Sequence, residues 1–221
     1  MKYIYSDKPV ETAAVAVTDV IRKHIFNGER VLWILSGGSG TAVALNASKE
    51  LMDLDLSRLF VSMTDERYGE VGHKDENWQQ LLDAGFQLPG ANLYRPLTVQ
   101  DVEKTTADFN DWLLDQLKKA DYKIGIFGIG TDGHTAGIKP HSRAVTSPNL
   151  ASSFIGDDFE RITITFNTIK QLDEVIIQAS GPDKKAVIDS LLHKNIPLDD
   201  QPAQILKQVP TATIYTNNKE N

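Results

Sequence analysis

The 221-residue sequence predicts an α/β fold with a mostly parallel sheet covered by helices on both faces. Short, continuously apolar runs alternate with stretches of helical periodicity along the chain. The runs lack the apolar–polar alternation of a half-solvated sheet, as strands buried on both faces do. Glycine-rich turns follow two of them, where chain direction must change sharply.

Val10, Ala13, Ala14, Val17, Ile21 and Ile25 fall at helical spacing, so residues 9–26 predict an amphipathic helix closed by Asn27-Gly28. Residues 31–35 and 59–63 read as buried strands, with a helix over 40–52 between them and a short one over 76–84 after them. Val102, Thr106, Phe109, Leu113 and Leu117 set a helix over 101–119, followed by a strand over 123–128. Residues 138–160 carry Pro140 and Pro148 among many polar groups and read as a long, loop-rich connection. Residues 161–166 alternate as a strand should, 174–179 form another, 183–192 read as helix and 211–215 as a last strand. No repeat or linker divides the chain, which reads as one domain over 1–221 with a polar tail at 217–221.

Hydrophobic residues at 41% and charged residues at 24% match a globular chain with a sizeable core. A net charge of −7 argues against nucleic acid or a membrane surface as the main partner. It leaves room for an anionic small molecule held by a local cluster of cations and N–H groups. The absence of cysteine excludes disulfides, thiolate catalysis and zinc–thiolate sites. With no signal-like N-terminus and no run of membrane-spanning length, a cytoplasmic protein is expected, as monomer or weak homo-oligomer.

Four segments carry candidate chemistry. Gly128-Ile129-Gly130-Thr131-Asp132-Gly133-His134-Thr135-Ala136 follows a buried strand, and its glycines let the backbone approach a ligand closely. Asp132 and His134 therefore sit at a strand's carboxyl end, where ligands bind in α/β folds. His134 suits proton transfer near neutral pH; Asp132 either bonds the imidazole or caps a helix after it. Ser36-Gly37-Gly38-Ser39-Gly40-Thr41 opens a helix and matches a phosphate cradle, or an ordinary tight turn. It is neither a Walker loop nor a dinucleotide fingerprint. Thr64-Asp65-Glu66-Arg67, with Asn77 ten residues on from Arg67, offers a hydroxyl acceptor and an anion-binding guanidinium, or a solvated charge cluster. Arg161 opens a strand, and Lys184 falls in the first turn of a helix, where its charge opposes the dipole unless an anion is shared there. His24 reads as packed, and His73 and His193 as exposed. No metal-ligand spacing is recognised, so neither metal nor cofactor is expected.

Taken together, these segments resemble the 6-phosphogluconolactonase branch of the sugar-phosphate family that also contains glucosamine-6-phosphate deaminase. The likeness runs from the first helix to about residue 216. Ser36-Gly37-Gly38-Ser39 resembles the family's phosphate loop, Asp65-Glu66-Arg67 with Asn77 its lactonase signature, and residues 128–136 its central motif. Arg161-Ile162-Thr163 and Gly181-Pro182-Asp183-Lys184 are similar to its later strand and turn. The resemblance implies a Rossmann-like three-layer α/β/α domain. Arg67, where the deaminase pattern has Tyr, and Lys139, where it has a relay Glu, favour lactone hydrolysis over deamination. The chain departs from the lactonase pattern at Gly137-Ile138-Lys139-Pro140 and at Asp157-Asp158-Phe159-Glu160.

The implied substrate is a phosphorylated sugar lactone. His134 would activate water, with Asp132 orienting it and Arg67 near the reacting end. Gly37, Gly38, Ser39, Arg161 and Lys184 would hold the phosphate, Asp65 and Asn77 would position hydroxyls or support the loop, and Gly130 would line the site. A deaminase of an amino-sugar phosphate and a non-catalytic sugar-phosphate sensor are the rival expectations.

Overall fold

The computed structural model describes residues 1–219; the last two residues of the expected polar tail lie outside the described residues. Among the described residues, sixteen helices and strands make up the fold, joined by short 3-10 turns. In chain order they are β1 (Lys2–Tyr5), α1 (Pro9–Phe26), β2 (Val31–Leu35), α2 (Ser39–Glu50), β3 (Leu59–Met63), β4 (Asp65–Arg67), α3 (Asn77–Asp83) and β5 (Asn92–Leu93). There follow α4 (Val102–Lys119), β6 (Tyr122–Phe127), β7 (Ala151–Ile155), β8 (Glu160–Ile164), α5 (Phe166–Ile169), β9 (Glu174–Gln178), α6 (Lys185–His193) and β10 (Thr211–Thr216).

Seven strands form one sheet in the order β1-β10-β9-β6-β2-β3-β5, every neighbouring pair parallel. Side-chain alternation along β2 divides the core. Val31, Trp33 and Leu35 point into a cluster with Ala13, Val17 and Ile21 of α1 and Val43 and Ala47 of α2. Leu32 and Ile34 point the other way, toward Phe109 and Leu113 of α4 and Ile188 and Leu191 of α6. Both faces of the sheet are therefore buried under helices, which is why its strands read as continuous apolar runs. Among the described residues no helix is long and apolar enough to cross a membrane.

After β2 the chain builds outward through β3 to β5, then returns to place β6 on the other side of β2. The strand order reverses between β2 and β6, and a crevice opens beyond their carboxyl ends at such a point. The segments leaving these two strands are the Ser36–Ser39 loop and the Gly128–His134 loop, so two of the four predicted motifs meet here.

Several elements differ from expectation. The 138–160 connection contains a 3-10 turn at Arg143–Val145 and the strand β7. The strand expected at 161–166 runs from Glu160 to Ile164 and leaves the main sheet. It lies between β4 and β7, antiparallel to both, in a separate three-stranded sheet. Thr165 ends it because its hydroxyl accepts the Asn167 N–H at 3.2 Å and caps α5. Lys184 ends a 3-10 turn (Pro182–Lys184) just before α6, one residue short of the expected helical turn.

Candidate active site

A cavity of about 340 Å³ lies at the carboxyl ends of β2 and β6. Of the predicted residues, Gly37, Gly38, Ser39, Asp65, Arg67, Asn77, Gly130, His134, Arg161 and Lys184 line it. Asp132 stands behind His134 and lines a neighbouring cavity instead, with Lys139 shared between the two.

The β6 loop holds the imidazole through its backbone. Gly130 N–H donates to His134 O at 2.9 Å, and Gly133, at φ 84°, donates to Gly130 O at the same distance. Asp132 Oδ1 accepts the His134 N–H at 3.1 Å and the ring Nδ1 at 2.6 Å. A carboxylate only accepts, so Nδ1 carries the proton and Nε2 is the basic nitrogen. Burial lifts the Asp132 carboxyl, but the His134 N–H, the imidazole and Lys139 outweigh it and hold the group below its ordinary value. Lys139 Nζ reaches Asp132 Oδ2 at 3.4 Å. It is brought there by a turn through Ala136 and Gly137, at φ 51° and 68°, whose Ala136 carbonyl accepts the Thr163 hydroxyl. Thr135 Oγ1 ties the loop back to Gly128 O at 2.8 Å.

Across the cavity, Gly38 at φ 58° precedes α2 without a side-chain cap. The first N–H groups of a helix have no intrahelical acceptor, so this end is suited to an anion. Gly37 is needed for another reason: a Cβ there would fall 2.3 Å from Asn77 Oδ1. Asn77 is fixed in turn, its Nδ2 donating to Asp65 O at 3.0 Å.

Glu66, absent from the expected site, is the anchor beneath it. Fully buried, it accepts the N–H groups of Asn77 at 2.5 Å, Trp78 at 2.9 Å and Arg67 at 2.9 Å. Burial pushes its carboxyl up to about 8, against the pull of those three donors. His73 also departs from expectation: it is half-buried, and its Nε2 bonds Arg67 O at 3.0 Å. His24 stacks on Tyr122 with centroids 3.7 Å apart, as a packed histidine should.

Arg67 and Arg161 are register partners across β4 and β8. Their guanidinium carbons lie 5.3 and 5.7 Å from the centroid of the Phe159 ring. Arg161, only 7% exposed, meets Asp65 at 3.6 Å and Asp158 at 2.7 Å. Arg67 donates to Asp75 O at 2.9 Å. With Lys139 and Lys184, these arginines give the cavity four cations in a chain whose net charge is −7.

The geometry defines a parallel α/β fold carrying a polar, cation-rich ligand crevice at its strand switch. The chain belongs to the glucosamine-6-phosphate isomerases/6-phosphogluconolactonase family, whose model matches residues 6–215. It is 26% identical over 205 residues to a 6-phosphogluconolactonase of Helicobacter pylori, covering 90% of this chain and 87% of the relative. The crystal structure of a 6-phosphogluconolactonase from Thermotoga maritima superposes with a TM-score of 0.82 at 19% identity, covering 97% of each chain. A monomeric glucosamine-6-phosphate deaminase superposes at 0.81, also at 19% identity, covering 98% of this chain and 97% of its own. The fold is thus shared with structures named for either activity and does not by itself choose between them.

Proposed function

We propose that the chain hydrolyses 6-phospho-D-glucono-1,5-lactone to 6-phosphogluconate. The observation that carries this reading is the His134–Asp132 pair, whose imidazole faces the same cavity as the Gly38 end of α2, Arg161 and Lys184. A base and an anion site stand apart in one crevice, as a substrate with a reactive ring and a remote phosphate requires.

With Nδ1–H donated to Asp132, Nε2 takes a proton from water as the water oxygen bonds to the lactone carbonyl carbon. The resulting oxyanion is stabilised by Arg67. Collapse breaks the ring C–O bond, and the imidazolium returns its proton to the departing ring oxygen. The product acid ionises, so each turnover releases one proton to solvent. Lys139 supports this reading over deamination, because a cation there cannot serve as the carboxylate relay of ring opening.

The test is to add the lactone to purified protein in weakly buffered solution. Rapid acid release is expected. Ammonia release from glucosamine 6-phosphate would point to a deaminase, and saturable binding without either reaction to a sensor.

A further inference from the structure

The hairpin between β7 and β8 puts an acid inside the cationic cavity. Its turn closes with Gly156 N–H donating to Phe159 O at 2.8 Å, and Asp158 Oδ1 accepts the Phe159 N–H at 2.9 Å. The other oxygen, Oδ2, takes the Arg161 Nη2 donor at 2.7 Å. Asp158 and Arg161 line the same cavity as Lys184.

The two acids beside Arg161 are not equivalent. Asp65 is 6% exposed, accepts the Thr64 hydroxyl at 2.8 Å, and lies 3.6 Å from Nη1. It is a fixed counter-ion of the kind a buried guanidinium requires. The Asp158 side chain is 49% exposed and hangs from a tight turn, so its pair with Arg161 is solvated and weak. An incoming phosphate and the Asp158 carboxylate carry the same sign of charge and seek the same guanidinium, so each weakens the hold of the other on it.

We propose that Asp158 is an internal competitor for the anion that Arg161 binds, and that it thereby sets how strongly the site prefers a phosphorylated ligand to one ending in a hydroxyl. The inference rests on reading Arg161 and Lys184 as phosphate ligands. A phosphate that reaches Arg161 meets the carboxylate's negative charge and must bear that repulsion or push the side chain aside. A hydroxyl instead donates to Asp158 and leaves the ion pair standing. The residue therefore lowers affinity for phosphate while tolerating an uncharged end.

Calorimetric titration with inorganic phosphate, at neutral pH and low salt, tests this on the wild type, Asp158→Asn and Asp158→Ser. The asparagine keeps an oxygen for the Phe159 N–H, so the turn is retained, and the serine removes the pair by different chemistry. Both variants are expected to bind phosphate about two- to fivefold more tightly, the scale of one half-exposed ion pair. Equal or weaker binding by both overturns the proposal, and so does the absence of phosphate binding by all three proteins. Failure of the lactonase reading appears separately, as no acid release from the lactone by the wild type whatever the calorimetry gives.

Discussion

Gly130 and the His134 imidazole approach so closely that a Cβ on the glycine would fall 2.1 Å from the ring Nδ1 and 2.4 Å from Asp132 Oδ1. The glycine is a steric requirement of the His–Asp pair. Gly130→Ala is expected to displace the ring and lower lactone turnover on the order of 10²-fold, the penalty of roughly 1 Å of misplacement. Steady-state hydrolysis together with a thermal melt checks this. Wild-type turnover in a folded variant would show that the ring is not held by this approach.

Removing the base should spare the fold, because the His134 side chain is half-exposed and its backbone N–H and carbonyl carry the loop bonds. His134→Ala is expected to reduce kcat by about 10²–10⁴-fold, the usual contribution of a general base. Asp132→Asn, which puts an amide against Nδ1, should reduce it less while leaving KM near the wild-type value. Unchanged kcat in His134→Ala would remove the imidazole from the chemistry.

Lys184→Ala is the clean probe of the phosphate end, since the lysine is half-buried and its nearest acid, Asp183, is 3.8 Å away. KM for the lactone should rise with little change in kcat. Arg161→Ala should raise KM too, but it also strands the buried Asp65. Breaking a buried pair costs about 3–5 kcal/mol, so a large fall in Tm is expected for that variant alone. A KM untouched by both substitutions is incompatible with the phosphate assignment.

Glu66 predicts a pH dependence of stability. Its carboxyl is raised in the fold from 4.5 to about 8 by burial, so the folded state binds its proton more tightly than the unfolded state. The contribution is full below the unfolded value and is lost as pH rises through the window between 4.5 and about 8. The slope from one group is at most about 1.4 kcal/mol per pH unit. Urea denaturation across this window should show falling stability in the wild type and a flatter profile in Glu66→Gln. Identical slopes would mean that the N–H groups of Arg67, Asn77 and Trp78 keep the carboxylate ionised throughout.

The long elements were legible because their side chains repeat. The α1 face of Ala13, Ala14, Val17 and Ile21 is fully or almost fully buried, and β2 is buried along its whole length. Short strands carry no such period: β4 has three residues and β5 two, and pairing alone makes them strands. β7 was hidden by Ser152 and Ser153 in a proline-bearing stretch, and its strand character comes from its ladder with β8. At the site, residue types and order were readable, since glycines and hydroxyls at strand ends have local causes. Long-range approaches were not. Neither Asn77 against Gly37 nor Asp65 against Gly137, where a Cβ would fall 2.5 Å from Oδ2, follows from any local pattern. Glu66 stands inside the Asp65-Glu66-Arg67 motif, but its anchoring role carries no local signal, because its partners at 77 and 78 lie a loop away.

The pairing of Arg67 with Arg161 sets two like charges opposite each other on adjacent strands, above one aromatic ring. Like charges directly opposite each other weaken a strand pair, and here Asp65 and Asp158 offset the charge of Arg161. β4 and β8 are two of the three strands in the small sheet, so the charge balance around these two arginines bears on how firmly that sheet is held. An anion bound by both guanidiniums would quiet what repulsion remains and hold the two strands together, and by linkage a loosened sheet would bind that anion less well. Inhibitors without negative charge would occupy the crevice yet forgo this tightening.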